Sequence, residues 1–550
     1  MNIVCVHLHL SAALTELGHT VRELNLPPGL VRLGPHLGAF QPDLLIQQET
    51  LGPRTVILDL GLVSCPKVFW SIDTHLNSFW HRYYGRLFDL VCSTQQHWLP
   101  WLQGRDLQAV WLPWSGVQRP TRSWEGRRAL SFVGRVTPER PVRGWFLDLL
   151  ATQDGFEAVD GLAHAAMLDR YDRTKIVPNE SIFGEINFRL FEAASCGCAV
   201  VNPDIPGLDE LFAPGEEVAV YRDGAELVHW LGRLRAGDVS ARLMGTRARS
   251  RVLRDHLPRH RAQSLLDQAL LAAPKARVGV SGDISLWLAL YRLWEAGRLG
   301  MSAQEMEQAF FSLPADEEVL AVLLRLRAAA GRDAFMQLAA PVLANGQYVE
   351  SPLVNLAGSM GALRHDDPAT ARLFFLRHQR WAKLRTPPPG EGAVSICLAW
   401  AGELQRLGEA FRPGFTFNPA RHLPESALEC LVLASEMTPH DREIYRSMDR
   451  LLERTAGWES LRLQAMSYLG LRERDNWRLG MRLGVTNCQA FRVTQGVEEL
   501  LAALETARRQ GEEKRFWTML DGMDRSGRIG FLVRAEAGLA ITDHNKGEHA

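Results

Sequence analysis

The stretch Ser131-Phe-Val-Gly-Arg-Val-Thr-Pro-Glu-Arg140 joins an apolar run to a glycine turn and two arginines, ahead of a helix expected to begin near residues 141–144. A helix N-terminus offers unpaired N–H groups and a partial positive charge, and guanidinium forks take phosphate oxygens in pairs. Gly134, Arg135 and Arg140 therefore have the types and spacing to hold a diphosphate. Taken alone, the same residues also fit a solvated turn. A second stretch, Gly184-Glu-Ile-Asn-Phe-Arg-Leu-Phe-Glu192-Ala-Ala-Ser-Cys-Gly-Cys-Ala-Val-Val201, predicts a helix over 188–195 that ends at Gly197 and feeds a buried strand. Arg189 and Glu192, three apart, share a helix face, with Asn187 in the cap region. A carboxylate at Glu192 can accept hydrogen bonds from a ribose, as acidic residues do in dinucleotide-binding folds.

A third stretch, Val68-Phe-Trp-Ser-Ile-Asp-Thr-His-Leu76, runs a strand straight into Asp73 and His75. Polar groups at the carboxyl end of a parallel strand face a cleft, where a base or an acceptor-binding group belongs. The competing account makes Asp73 the N-cap of a helix over 76–84. His7 and His9, after the first strand, are weaker candidates that read as ordinary histidines. Asp169-Arg-Tyr-Asp172 is not an Asp-x-Asp metal pattern, and Cys196-Gly-Cys198 reads as small packed residues. There is neither a G-x-x-x-x-G-K-[ST] phosphate loop nor a Gly-x-Ser-x-Gly elbow. No metal site is expected.

The elements that must position these residues alternate short β-branched runs with helical patterns over the first 270 or so residues, the sign of βαβ units. Strands are expected at 2–6, 20–26, 43–46, 67–72, 90–93 and 109–112. After the polar stretch 118–128 they resume at 129–133, 175–177, 199–202 and 217–221. This predicts two Rossmann-like domains, 1–120 and 121–272, with a cleft near residues 70–80 and 134–192. Beyond residue 274 amphipathic helices dominate, for example at 286–295, 318–329, 371–384 and 497–509. An all-α helical-hairpin region over 275–550 follows, split near the loop 386–392. Two readings of it stay open, a divergent solenoid resembling tetratricopeptide repeats and an irregular helical domain.

The chain has 550 residues, 46% hydrophobic and 23% charged, as ordinary globular proteins do, which excludes disorder and fibre. Its 62 basic against 63 acidic residues leave a net charge of −1, so no global field draws nucleic acid or an anionic membrane. Only six of the basic residues are lysines, which reads as a coding bias toward arginine. The eight cysteines form no CxxC pair, and several sit in apolar runs as reduced buried thiols do. The opening MNIVCVHLHL has no signal-peptide character and no apolar run nears the length of a membrane span. A cytoplasmic location is the expectation.

The segments F-V-G-R-x-T-P-E-R, E-I-N-F-R-L-F-E-A-A-S-C-G-C-A-V-V and G-L-D-E-L-F-A-P-G-E-E-V-A-V-Y-R-D-G-A-E-L, in this order and spacing, resemble the C-terminal half of a GT-B glycosyltransferase. The nearest likeness is to the CgeB-like, spore-maturation-type group of the family 4-like clan, over about residues 1–270 and most strongly over 128–230. The resemblance implies a hexosyltransferase-type reaction, transfer of a sugar from a nucleotide-diphosphate donor to a saccharide or protein acceptor. It implies no cofactor and no metal, the diphosphate being held by Gly134, Arg135 and Arg140 and the donor ribose by Glu192, with Asn187 and Arg189 beside them. Arg140 stands where the family usually has lysine. Gly184 stands where retaining members carry a second glutamate, with Glu185 one residue off. The helical region would recognise the acceptor or a protein partner. The rival reading is a non-catalytic sugar-nucleotide-binding scaffold that works through its helices. A phosphorylase of this shape would need a lysine for pyridoxal phosphate, and Lys175 alone is placed for one.

Overall fold

β-Branched and aliphatic runs pack well on a pleated surface buried on both faces, and a parallel neighbour can be reached only through a crossover of a dozen or more residues. The computed structural model describes residues 1–102, 107–137, 140–272, 280–453 and 455–539, and in it these runs form two all-parallel sheets. The chain gathers into two compact units, each built from two separated stretches. The first is Met1–Pro113 with Ala262–Ser447, the second Trp114–Arg261 with the residues from Met448 onward.

In the first unit the strands are β1 (Asn2–Val6), β2 (Thr20–Leu24), β3 (Gly29–Val31), β4 (Leu44–Gln48), β5 (Thr55–Ile57), β6 (Lys67–Ser71), β7 (Leu90–Ser93) and β8 (Ala109–Trp111). Six of them form a sheet in the order β2-β1-β4-β6-β7-β8, while β3 and β5 pair separately. Every residue of the central strand β6 is buried, as expected of a strand covered on both faces. Helix Thr74–Tyr84 follows β6 and lays Phe79, Trp80, Tyr83 and Tyr84 into a core with Phe69 and Phe88, Phe69 lying 5.4 Å from Tyr84 and 5.3 Å from Phe88 between ring centres. Leu288, Tyr291, Phe310 and Val322, from helices Val280–Glu295, Ala303–Phe311 and Glu317–Ala330, belong to the same core.

In the second unit β9 (Arg128–Val133), β10 (Phe156–Val159), β11 (Thr174–Pro178), β12 (Ala199–Pro203) and β13 (Ala219–Tyr221) form a sheet in the order β10-β9-β11-β12-β13. Its core of Phe132, Phe146, Leu150, Val201 and Leu227 takes in Phe491 from the C-terminal helices. Helix Gly224–Ala236 meets helix Val493–Arg509 closely: a Cβ on Gly224 would lie 2.7 Å from the Val493 side chain.

The α/β fold class and the two Rossmann-like sheets are those the sequence predicts. The compact units, however, are not the three consecutive segments 1–120, 121–272 and 275–550, because the helices are shared between the two units. Three strands beyond the expected ones are present, β3, β5 and β10, and helix Val280–Glu295 begins before residue 286. Among the described residues no helix is long and apolar enough to cross a membrane.

Polar contacts also tie the helices to the first sheet's layer. Arg86 makes a two-pronged pair with Glu318 at 2.6 and 3.0 Å, and Arg82 does so with Glu409 at 3.1 and 2.9 Å. Deeper in this unit Glu425 meets three guanidiniums, Arg292 at 2.6 Å, Arg325 at 2.9 Å and Arg412 at 3.1 Å. Arg412 is shared with Glu295 at 2.9 Å and Glu429 at 2.7 Å. Burial opposes the Glu425 charge, but the arginines outweigh it and hold the carboxyl well below the usual carboxylate range. Its stabilising contribution is therefore full above the unfolded-state value of about 4.3 and fades as the pH falls below it. Glu425→Gln strands guanidinium charge in the interior and should destabilise the fold by about 3–5 kcal/mol at neutral pH, read by denaturant unfolding, with the deficit shrinking toward pH 3.

Candidate active site

The second sheet's carboxyl edge is organised by Arg189, on helix Phe188–Ser195. Its Nε donates to the Val133 carbonyl at 3.0 Å, where β9 ends, and its Nη1 donates to Asn179 Oδ1 at 2.6 Å, just past β11. The Asn179 amide donates to Asn187 Oδ1 at 3.0 Å and to Asn202 Oδ1 at 2.7 Å, in β12. The Tyr221 hydroxyl, in β13, donates to the Asn179 carbonyl at 2.6 Å. One buried guanidinium thus links four strand ends, and its plane covers the Phe132 ring at 4.4 Å. Gly134 follows from this packing, since a Cβ there would lie 2.7 Å from Arg189 Nη2 and 2.8 Å from the Phe132 ring.

Arg135 is exposed, and its carbonyl accepts from Arg143 Nη1 at 3.2 Å. Arg140 is half-buried at the N-cap of helix Pro141–Ala151, and its side chain makes no capping hydrogen bond. Arg143 is buried and donates through Nε to Glu180 Oε2 at 2.7 Å. Burial raises the Glu180 carboxyl even against this pairing. Helix Phe188–Ser195 likewise has no side-chain cap, because Asn187 at its N-cap turns its amide to the Glu180 carbonyl at 3.0 Å. Both helix N-termini are therefore positively polarised, and neither N-cap side chain satisfies them. The second helix stops where the sequence places its end, with Gly197 in the left-handed region at φ 73°.

One turn into that helix lies Glu192, buried, with Oε1 2.7 Å from His164 Nε2. Its other oxygen, Oε2, has no hydrogen-bond partner among the described residues. Burial raises the Glu192 carboxyl while the His164 contact pulls the other way, and the same contact raises the exposed His164. Of the residues predicted on this edge, Gly134, Asn187 and Arg189 come together in one network, and Glu192 lies on the same helix. Glu180, Arg143, Asn179 and His164 were missed. Asn179 and Glu180 follow a strand directly, a usable signal, whereas His164 is a lone histidine at the start of helix His164–Tyr171.

In the first unit Asp73 is half-buried at the N-cap of helix Thr74–Tyr84, as the competing account required, but its side chain makes no capping hydrogen bond. His75 is buried within the first turn. Next to them is a residue the sequence did not announce, Glu49, just past β4. Its Oε2 accepts from the backbone N–H of Ile72 at 3.0 Å and of Asp73 at 2.9 Å, and its Oε1 accepts from Asn77 Nδ2 at 2.6 Å. Burial first, and the Asp73 charge second, push the Glu49 carboxyl up to about 8. His9 is exposed at the same edge, with Nδ1 2.6 Å from Gln48 Oε1 and its ring 4.8 Å from that of Trp70. His7 adopts a left-handed φ of 55°.

Residues 121–267 match a family model described as glycosyl transferase-like, so the segment carrying the second sheet and its carboxyl edge is glycosyltransferase-like. No curated protein matches the chain. Among solved structures the chain is similar to sucrose-phosphate synthase from Thermosynechococcus elongatus, with 12% identity over 50% of this chain and 100% of that one, at a TM-score of 0.39. It is similar to a glycosyltransferase from Rickettsia africae, with 12% identity over 49% of this chain and 98% of that one, at a TM-score of 0.37. A third is Anabaena HepE in complex with UDP and glucose, with 12% identity over 49% of this chain and 100% of that one, at a TM-score of 0.34.

The packing at Gly134 makes a specific demand. Gly134→Ala should destabilise the protein by roughly 1–3 kcal/mol, because neither the Phe132 ring nor the anchored Arg189 can yield without loss. Thermal unfolding checks this, and a Tm equal to that of the parent protein would contradict the Arg189 packing described above.

Proposed function

We propose that the chain is a GT-B glycosyltransferase of the CgeB-like group that moves a hexose from a nucleotide-diphosphate sugar to a hydroxyl of a saccharide or protein acceptor. The observation that carries the proposal is Glu192, a buried carboxylate with one oxygen bonded to His164 and the other without a hydrogen-bond partner among the described residues. A buried acceptor left unsatisfied costs free energy, and a ribose hydroxyl supplies the missing donor. The N-termini of helices Pro141–Ala151 and Phe188–Ser195, with Arg135 and Arg140, then meet the diphosphate. Asn187 and Arg189 act beneath it, by holding the strand ends in place.

In the reaction the sugar C1–oxygen bond to the diphosphate breaks and a bond from the acceptor oxygen to C1 forms. The electron pair leaves with the diphosphate, where Arg135, Arg140 and the helix ends offset its charge, so no metal and no cofactor are required. The acceptor hydroxyl loses its proton to Asp73 or is oriented by His75. The helical region, read as tetratricopeptide-like, serves acceptor or partner recognition, and the protein works in the cytoplasm. The scaffold reading draws on one observation, that Arg189 is spent on structural bonds.

Purified protein heated with UDP-, GDP- and dTDP-sugars should be stabilised by one nucleotide class, by ~2.7 kcal/mol at about 100 times Kd. Arg135→Ala should remove that shift and cut donor turnover by roughly 10²-fold. Stabilisation without donor hydrolysis or transfer favours the scaffold. No shift with any sugar nucleotide, or a shift unchanged by Arg135→Ala, overturns the donor site.

A further inference from the structure

An N-capping aspartate ordinarily turns its carboxylate onto the amides of the first helical turn, and in the capping box a glutamate at the third helical position reaches back to the cap residue's own N–H. Neither happens at helix Thr74–Tyr84. Asp73 makes no capping bond, and the third helical position is Leu76, which has no acceptor in its side chain. Glu49 supplies the missing acceptor from another strand. Its backbone N–H donates to the Trp70 carbonyl at 2.9 Å, which extends the pairing of β4 with β6 by one residue and sets its side chain beside the chain leaving β6.

Resting on the function proposed above, we propose that Glu49 is a positioning residue for the Asp73–His75 turn. Its carboxyl oxygens fix the backbone of that turn in the place of a local cap, and so set where Asp73 and His75 stand. Three contacts converge to do this, the N–H groups of Ile72 and Asp73 and the side-chain amide of Asn77. Asn77 is anchored in turn, its Oδ1 accepting from Arg298 at 2.9 Å, Arg54 at 3.1 Å and Trp80 at 3.2 Å. Glu49 is itself inaccessible, with 3% of its surface exposed, so it touches no substrate. The nearby row of Ser71, His81 and Glu49, with Ser71 Oγ 2.8 Å from His81 Nδ1, has the look of a nucleophile relay, but Ser71 and His81 are wholly buried. Burial first, and the Asp73 charge second, raise the Glu49 carboxyl.

The test compares two variants of the full chain. Glu49→Met fills similar space without an acceptor, and Glu49→Gln keeps one carbonyl oxygen for the backbone amides. In Glu49→Met the amides of residues 72–76 should exchange with deuterium at least about tenfold faster, while Glu49→Gln stays near the parent protein. For whichever of UDP-, GDP- or dTDP-sugar is turned over, Glu49→Met should lower kcat by about tenfold or more with the donor KM unchanged, and Glu49→Gln should recover most of it. Unaltered exchange in Glu49→Met overturns the proposal even where no donor is turned over. If Asp73→Asn abolishes turnover while Glu49→Met keeps the parent kcat, the positioning role falls and the functional reading stands. If Asp73→Asn has no effect, the role given to Asp73 falls instead.

Discussion

In each sheet every strand points the same way, and much else follows from that constraint. A parallel strand must be left and rejoined over a face, so its carboxyl end opens into a loop and the next helix starts beside it. Polar residues placed one or two positions after a strand are therefore collected on a single edge. In the second unit this brings Gly134 after β9, Asn179 and Glu180 after β11 and Asn202 within β12 into reach of one helix. In the first it brings Glu49 after β4 next to Asp73 after β6. The chemistry-bearing residues are far apart in the chain, and the parallel topology is what assembles them within each unit.

Such an edge is also a place of unmet hydrogen bonds, and the two units solve that in the same manner. A titratable side chain is buried and bonded to the backbone: Arg189 to the Val133 carbonyl, Glu49 to the amides of Ile72 and Asp73. Burying a polar group is costly unless it is hydrogen-bonded, and each of these groups makes several short contacts. In the second unit a neighbouring group is thereby spared from structural duty. Glu192 keeps one oxygen without a hydrogen-bond partner among the described residues. A carboxylate held in that condition by a rigid surround is already arranged for a ligand, and ordering it on binding costs little.

The strands of both sheets were legible because hydrophobic runs of four to six residues bounded by turn residues carry their own signal. β3 and β5, which pair apart from the main sheet, were not, and neither was β10, an edge strand with no buried residue whose FEAV run has no strong pattern. At the site, Arg135, Arg140, Asn187, Arg189 and Glu192 were legible as residue types at turns and caps. Whether such an arginine faces solvent or a strand end is a matter of tertiary packing, and Arg189 turned out to be buried. Glu49 sits in Gln-Gln-Glu-Thr, which reads as a polar loop, and its value comes only from a neighbour 24 positions away. His164 is hidden for the same reason, 28 positions from Glu192.

The sharing of the helices between the units has a physical cause. Helix Thr74–Tyr84 turns one side toward the sheet, and its Tyr83, together with Arg82 and Arg86, meets the later helices through Arg292 and the carboxylates of Glu409 and Glu318. A helix buried on both sides needs a second layer, and helices Val280–Glu295 and Glu317–Ala330 provide it. In the second unit Ala225, at the start of helix Gly224–Ala236, lies in a core with Trp477, Val485, Leu500 and Phe516. Helices that serve as the outer layer of a sheet cannot be removed without exposing that layer. Their amphipathic stripes were readable in the sequence. What those stripes would cover depends on the aromatic face of a helix some 200 residues earlier, as the 209-residue separation of Arg292 and Tyr83 illustrates.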